Sequence, residues 1–377
     1  LIPWLKLYES TVMAVNQGGS RPGAIACYLE PFHLDYHAFL ELRRINGDEW
    51  QRTHNLNTAS WICDEFMNRV MENKDWYFFN PSDFPELHEK YGKEFYELYN
   101  KAIQKAEKGE VIFKKEPAKE VWKKQLKMLF ETGFPWLCFK CPSNIRYSNR
   151  HDGVIHSSNL CTEIEIQTSP SKYNKEGEKT EIGQTGVCQL SSINLPTHVE
   201  NGKINWKKLE NTIKILVRSL DNAIDINFYP TKEAKKHIEL RPLGLGKMGF
   251  QDLCHSLNII YDSDEGVQLA KKVQEFISYH SILTSSLLAK ERGVYSTHKG
   301  SLWDNGVLPH DSYFSSQKER GLESFIKPKD AETLEWDFVR KNIKENGMRN
   351  MLVQAIAPTA SISYICGCEQ IIEPNYS

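Results

Sequence analysis

An α/β fold is what this sequence predicts, and three observations carry the prediction. Short apolar or alternating runs of strand length recur along the chain, patterns with helical spacing separate them, and neither an internal repeat nor a low-complexity tract points to a solenoid or a disordered array.

Taken in order, LIPWLKLYESTVMAVNQGG has amphipathic helix spacing from Leu1. AIACYLE from Ala24 reads as a strand running into Pro31, after which Asp35 favours the first turn of a helix. NLNTASWI from Asn55, DWYFFNP from Asp75 and GFPWLCF from Gly133 read as further strands. LCTEIEI from Leu160 alternates Leu160, Thr162 and Ile164 with Cys161, Glu163 and Glu165. A strand is expected there, with Asn159, Cys161 and Glu163 on one face at roughly 6.5 to 7 Å spacing, so one small polar molecule could touch an amide, a thiol and a carboxylate. The hydrophilic stretch from Thr168 to Thr185 reads as a solvated loop leading to the run GVCQLSSINL from Gly186, which bears Cys188. A helix is expected from about Trp206 to Ala223. The longest helix should open at Asp262, with Glu265 three residues on, and close at Gly293; Val267, Leu269, Ala270, Val273, Phe276, Ile277, Leu283, Leu287 and Leu288 give it a core face. MLVQAIAP from Met351 should be a strand ending at Pro358, with Thr359, Ala360 and Ser361 as the cap and first turn of a helix.

At 377 residues, 40% hydrophobic and 25% charged, the chain can bury the core of one large domain or two smaller ones without staples. Its 47 basic and 49 acidic side chains leave a net charge of -2, which points to no nucleic-acid or membrane partner. A nucleotide stays open, because backbone amides hold phosphate without a basic surface. Nine cysteines, an odd number with no signal-like start, read as thiols in a reducing compartment, the cytoplasm by default. No run approaches the roughly 18 apolar residues of a membrane span. A start at Leu1 and an abrupt stop at IIEPNYS make an internal piece of a longer polypeptide the expectation.

Four motifs carry competing readings. Gly244, Gly246 and Gly249 spell G-x-G-x-x-G, but a charged helix end and Arg241-Pro242 precede them, so tight packing or close backbone approach explains them better than a dinucleotide site. Cys138 and Cys141 with Cys366 and Cys368 could in principle close around zinc, yet buried unligated thiols are commoner and more than 220 residues separate the pairs. Glu30, His33, Asp35 and His37 cluster in sequence, without a further ligand set, and a structural role is favoured. The helix opening after Pro358 offers free amides beside hydroxyls, a phosphate site if it is not a plain cap.

Several phrases taken together resemble the large catalytic subunit of class I ribonucleotide reductases: QGGSRPGAIACYLEPFHLD from Gln17, SNLCTEI from Ser158, GVCQLSSINL from Gly186, RPLGLGKMG from Arg241, NGMRNMLVQAIAPTAS from Asn346 and IEP from Ile372, all in the family's order. The resemblance implies a ten-stranded α/β barrel of two five-stranded halves, with a central finger loop carrying the radical cysteine. Residues 1–377 would form a single, partial catalytic barrel domain. By resemblance Cys161 is the thiyl-radical cysteine that takes hydrogen from the ribose C3′, Glu163 the base for the 3′-hydroxyl, and Asn159 the residue that orients both. Substrate would lie against Asn159, Leu160, Cys161, Thr162 and Glu163, with its diphosphate on Pro358, Thr359, Ala360, Ser361 and Ile362. Cys188 matches one member of the reducing pair, whose partner lies upstream of Leu1 in the family.

The same resemblance implies the rest of the assembly. No metal or cofactor is expected on this chain; a metal-containing small subunit supplies the radical, and a thioredoxin- or glutaredoxin-type dithiol re-reduces the site. The ATP cone, most of the effector region for ATP and dNTPs and the specificity loop should precede Leu1, and the tyrosine relay and cysteine tail should follow Ser377. The substrate would be a ribonucleoside diphosphate and the full-length subunit a homodimer. Alone, the fragment is expected to be inactive. CFKC and CGC are not family features. The cobalamin-dependent class shares the finger motif, but YLEPFH and APTAS favour class I. A split-gene or inactive fragment acting as a structural part, or a zinc-bound interaction module, is the alternative outside enzymology; retention of Asn159, Cys161, Glu163 and Cys188 together favours chemistry.

Overall fold

The computed structural model describes residues 1–15, 19, 22–327 and 332–374. Of the phrases above, Asn16, Gln17, Gly18, Ser20 and Arg21 lie outside the described residues, as do the last three residues, Asn375, Tyr376 and Ser377. The fold is mixed α/β, in two compact units: residues 1–145 with 154–165, and residues 146–153 with 166 onward.

In the first unit, α1 (Ile2–Ala14), β1 (Ala26–Leu29), α2 (Tyr36–Leu40), β2 (Asn57–Ile62), α3 (Asp64–Met71), β3 (Asp75–Phe79), α4 (Gly92–Glu107), β4 (Phe113–Pro117), α5 (Ala118–Thr132), β5 (Trp136–Phe139) and α6 (Lys140–Arg146) follow in order. A parallel sheet runs β1-β2-β5, pairing Ala26–Leu29 with Asn57–Ser60 and Ala59–Ile62 with Trp136–Phe139. The central strand β2 is buried from Thr58 to Ile62, as a parallel strand covered on both faces must be. Helices α3 to α5 and the antiparallel β3-β4 pair, whose strands are joined through α4, fill the crossover from β2 to β5. Trp76 stacks on Tyr99 with centroids 4.4 Å apart and meets Phe66 edge-on at 4.9 Å. Each such fully buried aromatic is worth roughly 1.5–3 kcal/mol over its exposed state. Sequence patterning does not foresee β4: FKKEP has no apolar alternation, and only the ladder from Asp75 opposite Pro117 to Phe79 opposite Phe113 makes it a strand.

At the ends of β1 and β5, Lys140 and Glu30 form a buried ion pair. The ammonium donates to both carboxylate oxygens at 3.0 and 2.9 Å, and to the carbonyls of Leu87 and His88 at 3.0 and 2.8 Å. Glu30 is thereby occupied, His37 pairs with Glu116, and the Asp35 amide donates to His33 Nδ1 at 3.0 Å, so the structural reading of this cluster stands. Cys141 is also a core thiol, its sulfur accepting the amides of Asp64 and Gly92 at 3.2 and 3.3 Å. Among the described residues no cysteine belongs to a group close enough to hold a metal.

The second unit adds β6 (Lys172–Tyr173), β7 (Lys179–Glu181), β8 (Gln189–Asn194), β9 (Val199–Glu200), β10 (Lys203–Ile204), α7 (Trp206–Ile226), α8 (Lys232–His237), β11 (Leu243–Met248), α9 (Phe250–Ser256), α10 (Asp264–Arg292), α11 (Pro309–Glu319), α12 (Trp336–Asn346) and α13 (Ala360–Cys366). The stretch expected as a plain loop, Thr168 to Thr185, holds the small β6-β7 hairpin. Strands β8 and β11 pair in parallel from Gln189 opposite Leu243 to Asn194 opposite Met248. Residues 351–357 lie along β11 through Leu243 N to Leu352 O (2.8 Å) and Leu245 N to Val353 O (3.2 Å), forming an isolated bridge at Gln354 rather than the regular strand expected. Gly244 and Gly246 lie inside β11 rather than in a turn after a strand, and only Gly249 follows it, at the start of α9, which excludes the dinucleotide turn. A Cβ on Gly246 would stand 2.5 Å from the Ala355 carbonyl oxygen, so close backbone approach is the reason for that glycine.

Helices α7 and α10 cover this sheet through Leu209, Ile213, Val217 and Leu220 from one and Leu269, Val273, Ile277 and Leu288 from the other. The cap of α10 is Ser263, whose hydroxyl accepts the Gly266 amide at 3.1 Å, one residue beyond the expected Asp262. Val267 and Leu287 of its expected core face are exposed. Buried Asp221 gathers Arg241 Nε at 2.8 Å, Arg292 at 2.8 Å and Asn350 at 3.1 Å. Burial alone would raise its carboxyl, but the Arg241, Arg349 and Arg292 guanidiniums together outweigh that and hold it below the ordinary range.

Candidate functional site

The segment Ser158–Glu165 is not a strand with three residues on one face; it is a tight hairpin. Ser158 and Glu165 bridge antiparallel at its root. Asn159 N donates to Ile164 O at 3.1 Å, Thr162 N to Asn159 O at 3.2 Å, and Ser158 Oγ to Ile164 O at 2.7 Å. The alternating letters fail to make a strand because Thr162 takes a left-handed φ of 61°, which reverses the chain. The Asn159 side chain helps fix that reversal, its Oδ1 accepting the Ile164 amide at 3.2 Å as a backbone carbonyl would.

Cys161 stands exposed at the tip. Partial burial, and then the Glu163 carboxylate, push its thiol above the ordinary range, so it is S–H at neutral pH. A protonated thiol is a hydrogen-atom donor or, once oxidised by one electron, an acceptor; it is a poor two-electron nucleophile. The proximity that gives this effect also brings Glu163 to Cys161 without an extended strand. Glu163 Oε2 is buried and makes no hydrogen bond among the described residues, an oxygen left able to accept a proton or a hydroxyl.

Beside the hairpin lies a groove of about 570 Å³, lined by Trp136, Cys138, Phe139 and Ser143 on one side and by Leu160, Cys161, Thr162 and Glu165 on the other. Sequence reading missed Cys138 and Glu165 as groove residues, and it missed Tyr28, whose hydroxyl lies 3.5 Å from the Asn159 carbonyl. Burial pushes the Cys138 thiol up to about 11, with Tyr28 opposing and Glu165 adding to the rise. The signal available was the apolar run around Cys138, which read as core.

In the second unit, Cys188 precedes β8 by one residue, half-buried, with its sulfur 3.7 Å from the Pro242 carbonyl. A Cβ on Gly244 would come within 3.3 Å of that sulfur, so this glycine leaves the thiol its space. The helix expected after Pro358 forms as α13. Thr359 occupies its cap position with a left-handed φ of 58° and makes no side-chain cap; its hydroxyl instead accepts the Ile371 amide at 2.9 Å. The plain-cap reading is therefore not realised, and the first-turn amides at Ala360, Ser361 and Ile362 receive nothing from Thr359. No helix among the described residues is long and apolar enough to cross a membrane.

Comparison with known proteins bears on this arrangement. A family model described as ribonucleotide reductase, barrel domain, matches residues 1–377. The chain is 49% identical over 378 residues to the ribonucleoside-diphosphate reductase subunit alpha of Chlamydia pneumoniae, covering all of this chain and 35% of that protein. It is 38% identical over 424 residues to the subunit alpha of Helicobacter pylori J99, and 36% identical over 380 residues to the large chain of Schizosaccharomyces pombe, covering 52% and 43% of those proteins. The chain thus spans about a third to a half of the curated relatives it matches.

Proposed function

Because this chain belongs to the ribonucleotide reductase barrel-domain family, we propose that it is the catalytic portion of a class I ribonucleoside-diphosphate reductase large subunit, reducing ribonucleotides to 2′-deoxyribonucleotides. The observation that carries the reading is the hairpin tip, where a protonated Cys161 thiol sits beside the buried Glu163 oxygen and Asn159 holds the turn.

In this proposal a small subunit delivers the oxidising equivalent that makes Cys161 a thiyl radical. The sulfur takes the hydrogen atom from C3′, and Glu163 takes the 3′-hydroxyl proton, the task of a carboxylate within hydrogen-bond reach. The 2′-hydroxyl leaves as water with a proton from the reducing pair, of which Cys188 is one member. The pair's second hydrogen forms the new C2′–H bond, its remaining electron reduces the sugar's 3′-carbonyl, and Glu163 returns the proton to the 3′-oxygen. That pair ends as a disulfide, and Cys161 returns the hydrogen atom to C3′. An external dithiol of thioredoxin or glutaredoxin type reduces the disulfide, so one dithiol is consumed for each water released. Asn159 orients the ribose hydroxyls, and the amides opening α13 from Ala360 to Ile362 receive the diphosphate. The parallel β1-β2-β5 and β8-β11 sets and the family match support a ten-stranded barrel, with the Ser158–Glu165 hairpin as its finger; a homodimeric whole subunit and a cytoplasmic setting belong to the proposal through the family resemblance alone.

The test uses the full-length subunit with its small subunit, a dithiol and a ribonucleoside diphosphate. Cys161→Ser should abolish deoxynucleotide formation, and Glu163→Gln should lower turnover by roughly 10²–10⁴-fold. Cys138→Ser, in the groove but outside the proposed chemistry, should remain active. Undiminished turnover in C161S sinks the proposal; activity that needs added adenosylcobalamin and no second protein moves it to the cobalamin-dependent class.

A further inference from the structure

Away from the thiol chemistry, β11 carries a lysine that the reductase reading does not use. Lys247 reaches from that strand to α10 and is 5% exposed, and its ammonium makes one hydrogen bond among the described residues, from Nζ to Gln274 Oε1 at 2.6 Å. We propose that Lys247 and Gln354 bind one monovalent inorganic anion of the size of chloride or bicarbonate, which braces residues 351–357 against β11 and α10.

Charge is the first reason. A buried ammonium is costly unless an anion offsets it, and a side-chain amide has no charge with which to do so. Among the described residues the other buried lysine, Lys140, has both oxygens of Glu30 and two backbone carbonyls, whereas Lys247 has one neutral amide. The acid beside Gln274 in sequence, Glu275, is committed elsewhere, accepting from the amides of Thr333 and Leu334, the Thr333 hydroxyl and the Trp336 indole. Burial, with no acid to oppose it, pushes the Lys247 pKa down to about 8, so at neutral pH the group is still mostly a cation.

A second donor without an acceptor lies beside it. An ammonium only donates, so Gln274 must present Oε1 to Lys247, and its Nε2 then donates to Gln354 Oε1 at 3.4 Å, where Ser278 Oγ also donates at 3.0 Å. That order leaves Gln354 Nε2 buried with no hydrogen-bond partner among the described residues, a state that is costly for an amide. The bridge between Leu245 and Gln354 brings this amide alongside the strand of Lys247. Lys247, Gln274 and Gln354 line one cavity of about 140 Å³, whose other walls include Ile277 and Ile356 and no carboxylate. At about 30 Å³ for a water, the space takes one small anion with a water beside it. One lysine among neutral walls matches a single negative charge; a dianion such as sulfate would bury a second charge unpaired.

Bromide reports the site directly and independently of reductase activity. Crystals of the full-length subunit grown in sodium bromide should show an anomalous peak against Lys247 Nζ and Gln354 Nε2, lost in Lys247→Met. In solution, replacing gluconate, too large for the cavity, by chloride or bicarbonate at constant ionic strength should raise the melting midpoint by about 2 °C at ten times the dissociation constant; the anion giving the larger rise is the better fit. The rise should vanish in Lys247→Met and in Gln354→Glu, which supplies the negative charge from the chain itself. Water alone at Lys247, a carboxylate of the longer subunit seated there, a peak in crystals with no rise in solution, or a rise undiminished in either variant overturns the inference. If the variants misfold, the bromide peak of the unaltered subunit and its displacement by chloride decide.

Discussion

Asn159 shows how one side chain sets a local structure that its neighbours in sequence do not announce. Its Oδ1 accepts the Ile164 amide and its own amide donates to the Ile164 carbonyl, so the turn beyond it is closed from both sides. Asn159→Ala should lose one of these bonds, at about 1 kcal/mol net, and amide exchange at Ile164 should accelerate severalfold. Asn159→Asp keeps the acceptor and should leave that exchange rate nearly unchanged; equal acceleration in both would refute the role. Asp221 is the corresponding residue of the second unit. Its removal takes one of two carboxylate partners from Arg241, which keeps Asp225 at 2.7 and 2.9 Å, and leaves Arg292 and Arg349 beside it without that carboxylate. Asp221→Ala should cost roughly 3–5 kcal/mol, the range for breaking a buried pair by deleting one partner, read as a lower denaturation midpoint. At this scale residue types were legible and conformations were not: the Asn-x-Cys-x-Glu spacing marked the site, but nothing in the letters put Thr162 at positive φ.

Among elements, β11 separates two kinds of glycine. A methyl on Gly246 meets the backbone oxygen of Ala355 at 2.5 Å, which cannot yield without parting β11 from residues 351–357. A methyl on Gly244 meets the end of the Leu190 side chain at 2.3 Å, which can rotate, although the Ala355 Cβ and Cys188 sulfur are also near. Gly246→Ala should therefore destabilise by about 1–3 kcal/mol and more than Gly244→Ala, measured by thermal melting of the two variants; the reverse order would show that Leu190 is the rigid neighbour. The helices Trp206–Ile226 and Asp264–Arg292 were legible because amphipathic spacing and capping residues are local signals. Strand β4 was not, because its polar residues owe their conformation to the partner strand β3.

For the molecule as a whole, acid stability turns on groups that folding keeps neutral. His237 is fully buried, neither ring nitrogen has a hydrogen-bond partner among the described residues, and burial pushes its pKa down to about 4. In the unfolded chain it titrates near about 6.5. Between those values the unfolded state binds a proton that the folded state refuses, so stability is full above about pH 6.5 and falls as pH drops toward 4. The loss from this one group should reach about 2 kcal/mol between pH 7 and pH 5. Denaturant unfolding of His237→Leu at the two pH values should show a shallower decline than the parent chain, and identical declines would remove His237 as the cause.

Local patterning by itself determined the α/β class, the two long helices, the strands β1, β2, β3, β5 and β8 and the residue types of the candidate site, because period, caps and short motifs are properties of contiguous residues. The turn that puts Cys161 beside Glu163, the parallel pairing of β8 with β11, the strand made from FKKEP and the meeting of His88 with His156 were decided only by tertiary structure. Each depends on groups distant in sequence or on a backbone torsion that packing selects, and neither leaves a periodic trace in the letters.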